Sequence, residues 1–389
     1  MLNIFILGAF SGINAGDEAI LESTLIELTK EFGNVKYIIP SRNTRNISRY
    51  QDRYKILTCN LTINFNIPRV IWNYIKLIHL ISISDLVIIT GSLFYEYKLL
   101  NFKQNTFLGM LPFIVVSKLM RKKIGLFSAG IGPIYTKLGE KLISNMVRQL
   151  DFMILREKNS GHLAEYMGVS KEKRYVTSDI ALLLPQVDND KLNELLGNEN
   201  VGTRTIGVNI NCYVDSFLRG KSKISRNDFV RVIGDSLKYA SHKYKAQIVL
   251  FIFGSWDKEI NHELMDYIAD YDKVKVIDFP KYNSREILSI MGKMDIFLGM
   301  RLHSIIFAFS NRTPLISINY AQKCHDFIEL INEIDKEISF EELTYKSLTS
   351  YIDRVWKDQK EIKRSYTTKS MKFKAESKLS PKILRKFIS

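Results

Sequence analysis

Arg301 and His303 are the pair of side chains in this chain best suited to chemistry, and both stand in the hexapeptide Gly299-Met300-Arg301-Leu302-His303-Ser304. The apolar run Asp295-Ile296-Phe297-Leu298 precedes them and a helical pattern, Ile305 to Phe309, follows. They therefore fall where a strand gives way to a helix, the edge at which open α/β sheets bind ligands. The first turn of a helix adds free N–H groups and the positive end of its dipole, both suited to an anion. Arg301 brings a planar donor fork that matches carboxylate or phosphate. His303 brings a proton that moves near neutral pH. Read alone, the hexapeptide also fits a plainer account, in which Arg301 pairs with a surface acid and His303 caps or packs.

Other loops at strand ends carry polar groups and glycines. Thr90-Gly91-Ser92 follows Val87-Ile88-Ile89, Ser128-Ala129-Gly130-Ile131-Gly132-Pro133 follows Gly125-Leu126-Phe127, and Arg156-Glu157-Lys158-Asn159-Ser160 follows Met153-Ile154-Leu155. Turn chemistry explains each loop singly. Together they matter more, because the C-terminal ends of parallel strands converge on one crevice. Near the start, Asn14-Ala15-Gly16-Asp17-Glu18 opens a helix that runs to about Phe32, with its acids in the first turn. Gly8 and Gly12 do not form the GxGxxG dinucleotide fingerprint. Asp179 follows Thr177-Ser178 and precedes an apolar run that Pro185 ends.

The elements that must position these residues alternate. Continuous apolar runs at 2–7, 35–39, 55–58, 85–90, 123–129 and 152–155 predict parallel strands buried on both faces, with helices between them. After a polar stretch at 185–203, a second set predicts strands at 205–211, 247–253, 273–277, 296–299 and 315–319. The expected fold is α/β, with two Rossmann-like domains facing across a cleft. The expected boundaries are 1–184, 185–340 and a basic helical segment at 341–389. The end of that segment, 369–389, suits either an anionic membrane surface or a return to pack on the first domain.

A chain of 389 residues, 46% hydrophobic and 25% charged, is long enough for two cores. Its three cysteines, Cys59, Cys212 and Cys324, and its six histidines show no metal-ligand spacing, so no metal is expected. Sparse cysteines, no basic flank before the first apolar run and no span-length apolar segment together predict a cytoplasmic protein. The net charge is +15, and residues 351–389 hold 12 Lys/Arg against 4 Asp/Glu. No nucleic-acid-binding motif accompanies that charge, so nucleic acid is not an expected partner.

The motifs in their order resemble those of the polysaccharide pyruvyltransferase family of bacterial exopolysaccharide and cell-wall polymer synthesis. Gly8 with Asn14 to Leu21, Gly130-Ile131-Gly132-Pro133, Leu155-Arg156-Glu157 with Ser160, Gly168-Val169 and Ser178-Asp179, and Gly299 to His303 with Ala308, Pro314, Tyr320 and Lys323 carry the likeness, over about residues 4–330. One departure is Gly91-Ser92-Leu93, where the family often has a run of glycines. The resemblance implies an architecture similar to the GT-B glycosyltransferases. It implies transfer of a pyruvyl group from phosphoenolpyruvate to a sugar of a polysaccharide or its lipid-linked precursor, giving a ketal, with no cofactor beyond the donor substrate.

On that reading His303 is the acid that protonates the enol carbon. Arg301 and Arg156 clamp the donor's carboxylate and phosphate, with Leu302 and Lys323 beside them. Asn14, Ser92 and Asp179 face the acceptor, and Asp17 is the general base. Asp17 also suits a helix cap, and Asp179 also suits orienting His303 or an arginine, or a structural turn. Two rival readings stay open: a GT-B-like glycosyltransferase using a nucleotide sugar, and a non-catalytic basic scaffold for anionic polymer or membrane. The sequence does not specify an oligomeric state, and peripheral contact with the inner face of a membrane is compatible with the basic tail.

Overall fold

The apolar runs form two all-parallel sheets in the computed structural model, which describes residues 1–61, 67–96, 106–196, 204–211, 224–268 and 274–388. Cys212 and Lys273 lie outside the described residues. The first sheet is built by β1 (Leu2–Leu7), α1 (Ala15–Phe32), β2 (Val35–Pro40), α2 (Thr44–Ser48), β3 (Lys55–Cys59), α3 (Ile67–Ser82), β4 (Leu86–Phe94), α4 (Thr106–Leu119), β5 (Lys123–Ile131), α5 (Lys137–Arg148), β6 (Phe152–Leu155), α6 (Lys158–Tyr166) and β7 (Arg174–Val176). Its strand order is β3-β2-β1-β4-β5-β6-β7. The second is built by α7 (Asn189–Leu196), β8 (Arg204–Asn209), α8 (Arg226–Tyr244), β9 (Ala246–Ile252), α9 (Lys258–Tyr267), β10 (Val274–Asp278), α10 (Ser284–Met291), β11 (Ile296–Gly299), α11 (Leu302–Ser310), β12 (Leu315–Asn319), α12 (Gln322–Leu330) and β13 (Glu337–Ser339). Its order is β10-β9-β8-β11-β12-β13. Helices α13 (Tyr345–Lys357), α14 (Gln359–Ser377) and α15 (Leu379–Leu384) follow.

Strand residues alternate between the faces of each sheet. In the first, Phe5, Leu7, Val87, Ile89, Ile124, Leu126, Met153 and Leu155 join one buried cluster with α3, α4 and α5. Phe5 meets Phe113 of α4 at 6.0 Å between ring centroids. Truncating a fully buried ring such as Phe5 to Ala costs about 3–5 kcal/mol.

The chain divides into two compact units: Met1–Gly12, Ile20–Leu183 and Phe373–Ser389 in the first, Ile13–Ala19 and Leu184–Lys372 in the second. This departs from the expected partition in two places. The segment Ile13–Ala19, expected on the first domain, belongs to the second unit. It is stitched there by an antiparallel bridge from Asn14 to Gly254, by Ala15 N–H to the Phe253 carbonyl at 2.8 Å, and by the Ser284 hydroxyl donating to the Ala15 carbonyl at 2.8 Å. The basic segment 341–389 is also shared out. Leu348, Ile352 and Val355 are buried where α13 packs on α8. Phe387 stacks on Phe152 at 4.7 Å, and Ser377 and Ser380 bond to Asp179 and Thr177. Phe373, Leu384 and Phe387 therefore pack on the first unit, one of the two placements open to the tail, while Leu379 stays exposed. No helix among the described residues is long and apolar enough to cross a membrane.

Candidate functional site

In the second unit the strand order reverses between β8 and β11, and Gly299 pairs in register with Asn209 there. This is the switch point at which such sheets bind ligands. The Asn209 amide is fully buried and works in both directions: Nδ2 donates to the Phe251 carbonyl at 2.8 Å, and Oδ1 accepts from Arg301 N–H at 3.1 Å. Met300 is buried and accepts, through its sulfur, from Asn211 N–H at 3.4 Å. The turn from strand to helix is thus fixed on both sides.

Arg301 is buried, with Nε and Nη2 donating to the two oxygens of Asp257 at 2.5 and 2.6 Å. Asp257 has no exposed surface, and the Trp256 ring lies 5.9 Å from the guanidinium carbon. A bidentate pair plus an aromatic face leaves Arg301 with one orientation. The acid partner anticipated for Arg301 is real, but it is buried rather than on the surface. It sits just past the end of β9, in the same ligand-binding edge.

Helix α11 begins at Leu302, whose side chain is buried. The Ser304 hydroxyl donates back to the Arg301 carbonyl at 2.7 Å. His303 is half-buried in the first turn. Its ring rests on the backbone of Gly16: a Cβ there would lie 2.2 Å from Nδ1 and 2.5 Å from Cγ. The first and last of the sequence motifs therefore meet within one unit, and glycine is the residue that lets them. Asn14 caps this turn, its Oδ1 accepting from Gly16 N–H at 2.9 Å. Helix α1 starts at Ala15, so Asp17 lies inside the first turn and the capping role belongs to Asn14. Both Asn14 and Asp17 thus share the unit of His303, rather than lying on the first domain as expected. Lys323 is half-buried in the first turn of α12. The neighbouring Cys324 thiol donates to the Met300 carbonyl at 3.5 Å, which brings that turn against the same edge.

The first unit holds a second constellation at the ends of β4, β5 and β6. Arg156 is buried; Nε donates to Glu157 at 2.9 Å, Nη1 to Asp179 at 3.1 Å and Nη2 to Ser92 at 2.8 Å. The Ser160 hydroxyl bonds to Glu157 and also accepts from Ile131 N–H at 2.8 Å. Asp179 accepts from Ala181 N–H at 2.9 Å. Guanidinium and carboxylate lie over Gly130, where a Cβ would stand 2.6 Å from Glu157 Oε1 and 3.2 Å from Arg156 Nη2. Burial pushes the Arg156 guanidinium down, and Glu157 and Asp179 more than offset it, so it ends above its ordinary value and stays charged. Arg156, expected with Arg301 as an anion clamp, directs its bonds to Ser92, Asp179 and Glu157. Asp179 both bonds to the Arg156 guanidinium and closes a turn onto Ala181 N–H. One guanidinium here meets two carboxylates, Glu157 and Asp179.

Asp257, Trp256 and Asn209 were not singled out from the sequence. The signal was present for two of them: Phe253-Gly254-Ser255-Trp256-Asp257 is a strand-end loop of the same kind as those at 90–92 and 156–160. Glu157 was quoted only as part of a motif. Among the described residues no group of three or more His, Cys, Asp or Glu is placed to hold a metal ion.

Two parallel sheets of this order are the GT-B fold, which solved epimerases and glycosyltransferases share. UDP-GlcNAc 2-epimerase of Neisseria meningitidis, solved with UDP-GlcNAc, superposes with a TM-score of 0.67 over 99% of this chain and 100% of its own, at 13% identity. Anabaena HepE, solved with UDP and glucose, gives 0.64 over 99% of each chain, also at 13% identity. With this fold, the chain belongs to the polysaccharide pyruvyl transferase family, whose profile matches residues 14–322. The amylovoran biosynthesis protein AmsJ of Erwinia amylovora is 20% identical over 253 residues, 63% of this chain. The match spans 61% of the length of AmsJ.

Proposed function

We propose that the protein moves a pyruvyl group from phosphoenolpyruvate to two hydroxyls of a sugar, on a surface polysaccharide or its lipid-linked precursor. The observation that carries this reading is His303 seated on Gly16 at the start of α11, two residues from the Arg301–Asp257 pair. Family membership supplies the group transferred. Protonating the CH2 carbon of the donor makes it a methyl group and leaves positive charge on the carbon that bears phosphate. One sugar oxygen bonds to that carbon, the carbon–phosphate oxygen bond breaks, and a second sugar oxygen closes the ketal. The two hydroxyl protons leave to a base and to phosphate.

His303 is the proton donor in this scheme. The N–H groups at the start of α11 receive an anionic end of the donor, the Arg301–Asp257 pair holds that helix start in place, and Lys323 adds positive charge. Asp17 is the base nearest in sequence to the Gly16 contact. Ser92, Glu157 and Asp179 offer the first unit's groups for sugar hydroxyls, with Arg156 holding them in place and Asn14 shaping the turn under His303. The reaction as drawn uses no cofactor and no metal.

The test pairs ligand binding with turnover. Phosphoenolpyruvate is expected to raise the melting temperature and UDP is not; the reverse result overturns the reading in favour of a nucleotide-sugar enzyme. His303→Ala is expected to lower phosphate release in the presence of acceptor by roughly 10²–10⁴-fold. Near-normal turnover by that variant, with an unchanged melting temperature, removes His303 from the role of acid.

A further inference from the structure

The first unit carries a patch of exposed apolar side chains that the proposed chemistry does not use. Helix α3 shows Trp72, Ile75 and Ile78 to solvent at a spacing of three, with Trp72 66% exposed. Helix α4, packed beside it, shows Leu111, Val115 and Leu119 at a spacing of four, with Leu119 77% exposed. The other faces of both helices are used up in the core, through Leu77, Leu80 and Ile81 and through Phe113, Ile114 and Val116. These helices therefore have two apolar faces where a helix on a soluble surface needs one. Exposed apolar side chains gathered on adjacent helices mark a binding surface.

The charge around the patch indicates what binds. Residues 67–83 and 106–123 contain six Lys/Arg and no Asp or Glu, in a chain with 41 acidic residues. Lys76 stands between Ile75 and Ile78 on α3, and Arg121, Lys122 and Lys123 follow Leu119 and Met120 directly. Asp151 is the acid that reaches this rim; it holds Lys118 at 2.8 Å and lies 4.0 Å from Lys123. A protein partner of opposite charge fits a basic rim, but it does not require Trp, Ile and Leu in quantity. The headgroup and acyl boundary of an anionic bilayer asks for both at once.

We infer that α3 and α4 dock the first unit on an anionic lipid bilayer. Trp72 and Leu119 enter the boundary region, while Lys76, Arg121 and Lys122 meet the lipid phosphates. The basic tail at 373–389 is not the docking element, because its apolar residues Phe373 and Leu384 are buried on the first unit. The surface is independent of the transfer chemistry, so it stands or falls separately from the proposed function.

Flotation of the purified full chain with vesicles tests it. Binding is expected to vesicles containing phosphatidylglycerol and not to pure phosphatidylcholine. It is expected to weaken with salt, and the Trp72 emission is expected to shift to the blue on binding. Leu119→Glu combined with Trp72→Glu is expected to lower partitioning by at least about tenfold, since each change removes a large apolar side chain from the contact. Lys76→Glu with Lys122→Glu is expected to abolish the preference for anionic lipid. All four positions lie outside the core, and transfer to a water-soluble acceptor is expected to continue in every variant. Failure of the wild-type chain to float overturns the inference. So does unchanged flotation by both double variants. So does a concentration-dependent dimer that Leu119→Glu dissolves without any lipid binding, which assigns the patch to a second copy of the chain.

Discussion

Each unit buries an arginine at the C-terminal edge of its sheet, and the two are balanced differently. Arg301 meets one carboxylate, Asp257, in a two-point pair, and a helix start follows directly. Arg156 meets two carboxylates, Glu157 and Asp179, and a serine hydroxyl. The first arrangement sets a guanidinium and a carboxylate at the positive end of a helix dipole. The second sets a guanidinium between two carboxylates and a hydroxyl. Similar sheets and similar edges thus give their arginines different company. The comparison teaches that an arginine in such a fold is not by itself an anion site; the number of acids around it decides. It also explains why the proposed donor, with its carboxylate and phosphate, is assigned to the Arg301 side.

The comparison breaks most visibly at the acids. Asp257→Ala takes the carboxylate from beside a buried guanidinium, a change that costs about 3–5 kcal/mol. Asp179→Ala leaves Arg156 with Glu157 and Ser92, and the expected cost is lower, about 1–3 kcal/mol. Urea unfolding of the two variants measures both. Equal losses would mean that Asp179 contributes as much to the first unit as Asp257 does to the Arg301 pair, and the contrast drawn between the units would fail.

Gly16 sharpens the contrast from the other direction. Alanine is the better helix former by roughly 0.8–1 kcal/mol, and Gly16 lies in the first turn of α1. A Cβ at this position collides with the ring of His303, however, at Cβ as well as at Nδ1. Gly16→Ala is therefore expected to keep the fold, to displace the imidazole and to reduce turnover by about tenfold or more, within the range one acid supplies. Nuclear magnetic resonance of the histidine ring reports the displacement. Full activity with a shifted ring would mean that the seat on Gly16 does not matter to the chemistry.

How far these features could be read from the chain depends on their range. The parallel strands were legible because burial on both faces writes an unbroken apolar run, as at Val87-Ile88-Ile89 and Ile296-Phe297-Leu298. The place of Arg301 and His303 was legible because a strand end and a helix start are local events. The company they keep was not. Asp257 is 44 residues from Arg301, and nothing in either neighbourhood names the other. Likewise Asn14 looked like part of the first domain, since it follows β1. Its bridge to Gly254 is a long-range pairing of extended backbone, which side-chain periodicity does not encode. Arg156 was recognisable as a site residue, but its partners Ser92 and Asp179 come from other strand ends, so its charge balance appeared only in three dimensions.

The smallest expected effect concerns His325, the other histidine whose surroundings bear on this edge. It lies on α12, two residues beyond Lys323, with Nδ1 2.6 Å from Glu337 on β13. The hydrogen bond to Glu337 raises its pKa above the ordinary value, against the opposing pull of partial burial. Because the folded value is the higher one, folding takes up protons between the unfolded pKa, about 6.5, and the raised folded value. The contribution to stability is complete below the former and is lost as pH rises through the latter. His325 is about a third exposed, so solvent screens the pair and the effect is modest. Melting curves of the wild-type chain and of His325→Gln are expected to differ at pH 6 and to converge at pH 9. A constant difference across that range would mean that the pair acts through packing of α12 on β13 and not through the proton. The position of Lys323 would then depend on shape at this edge rather than on pH.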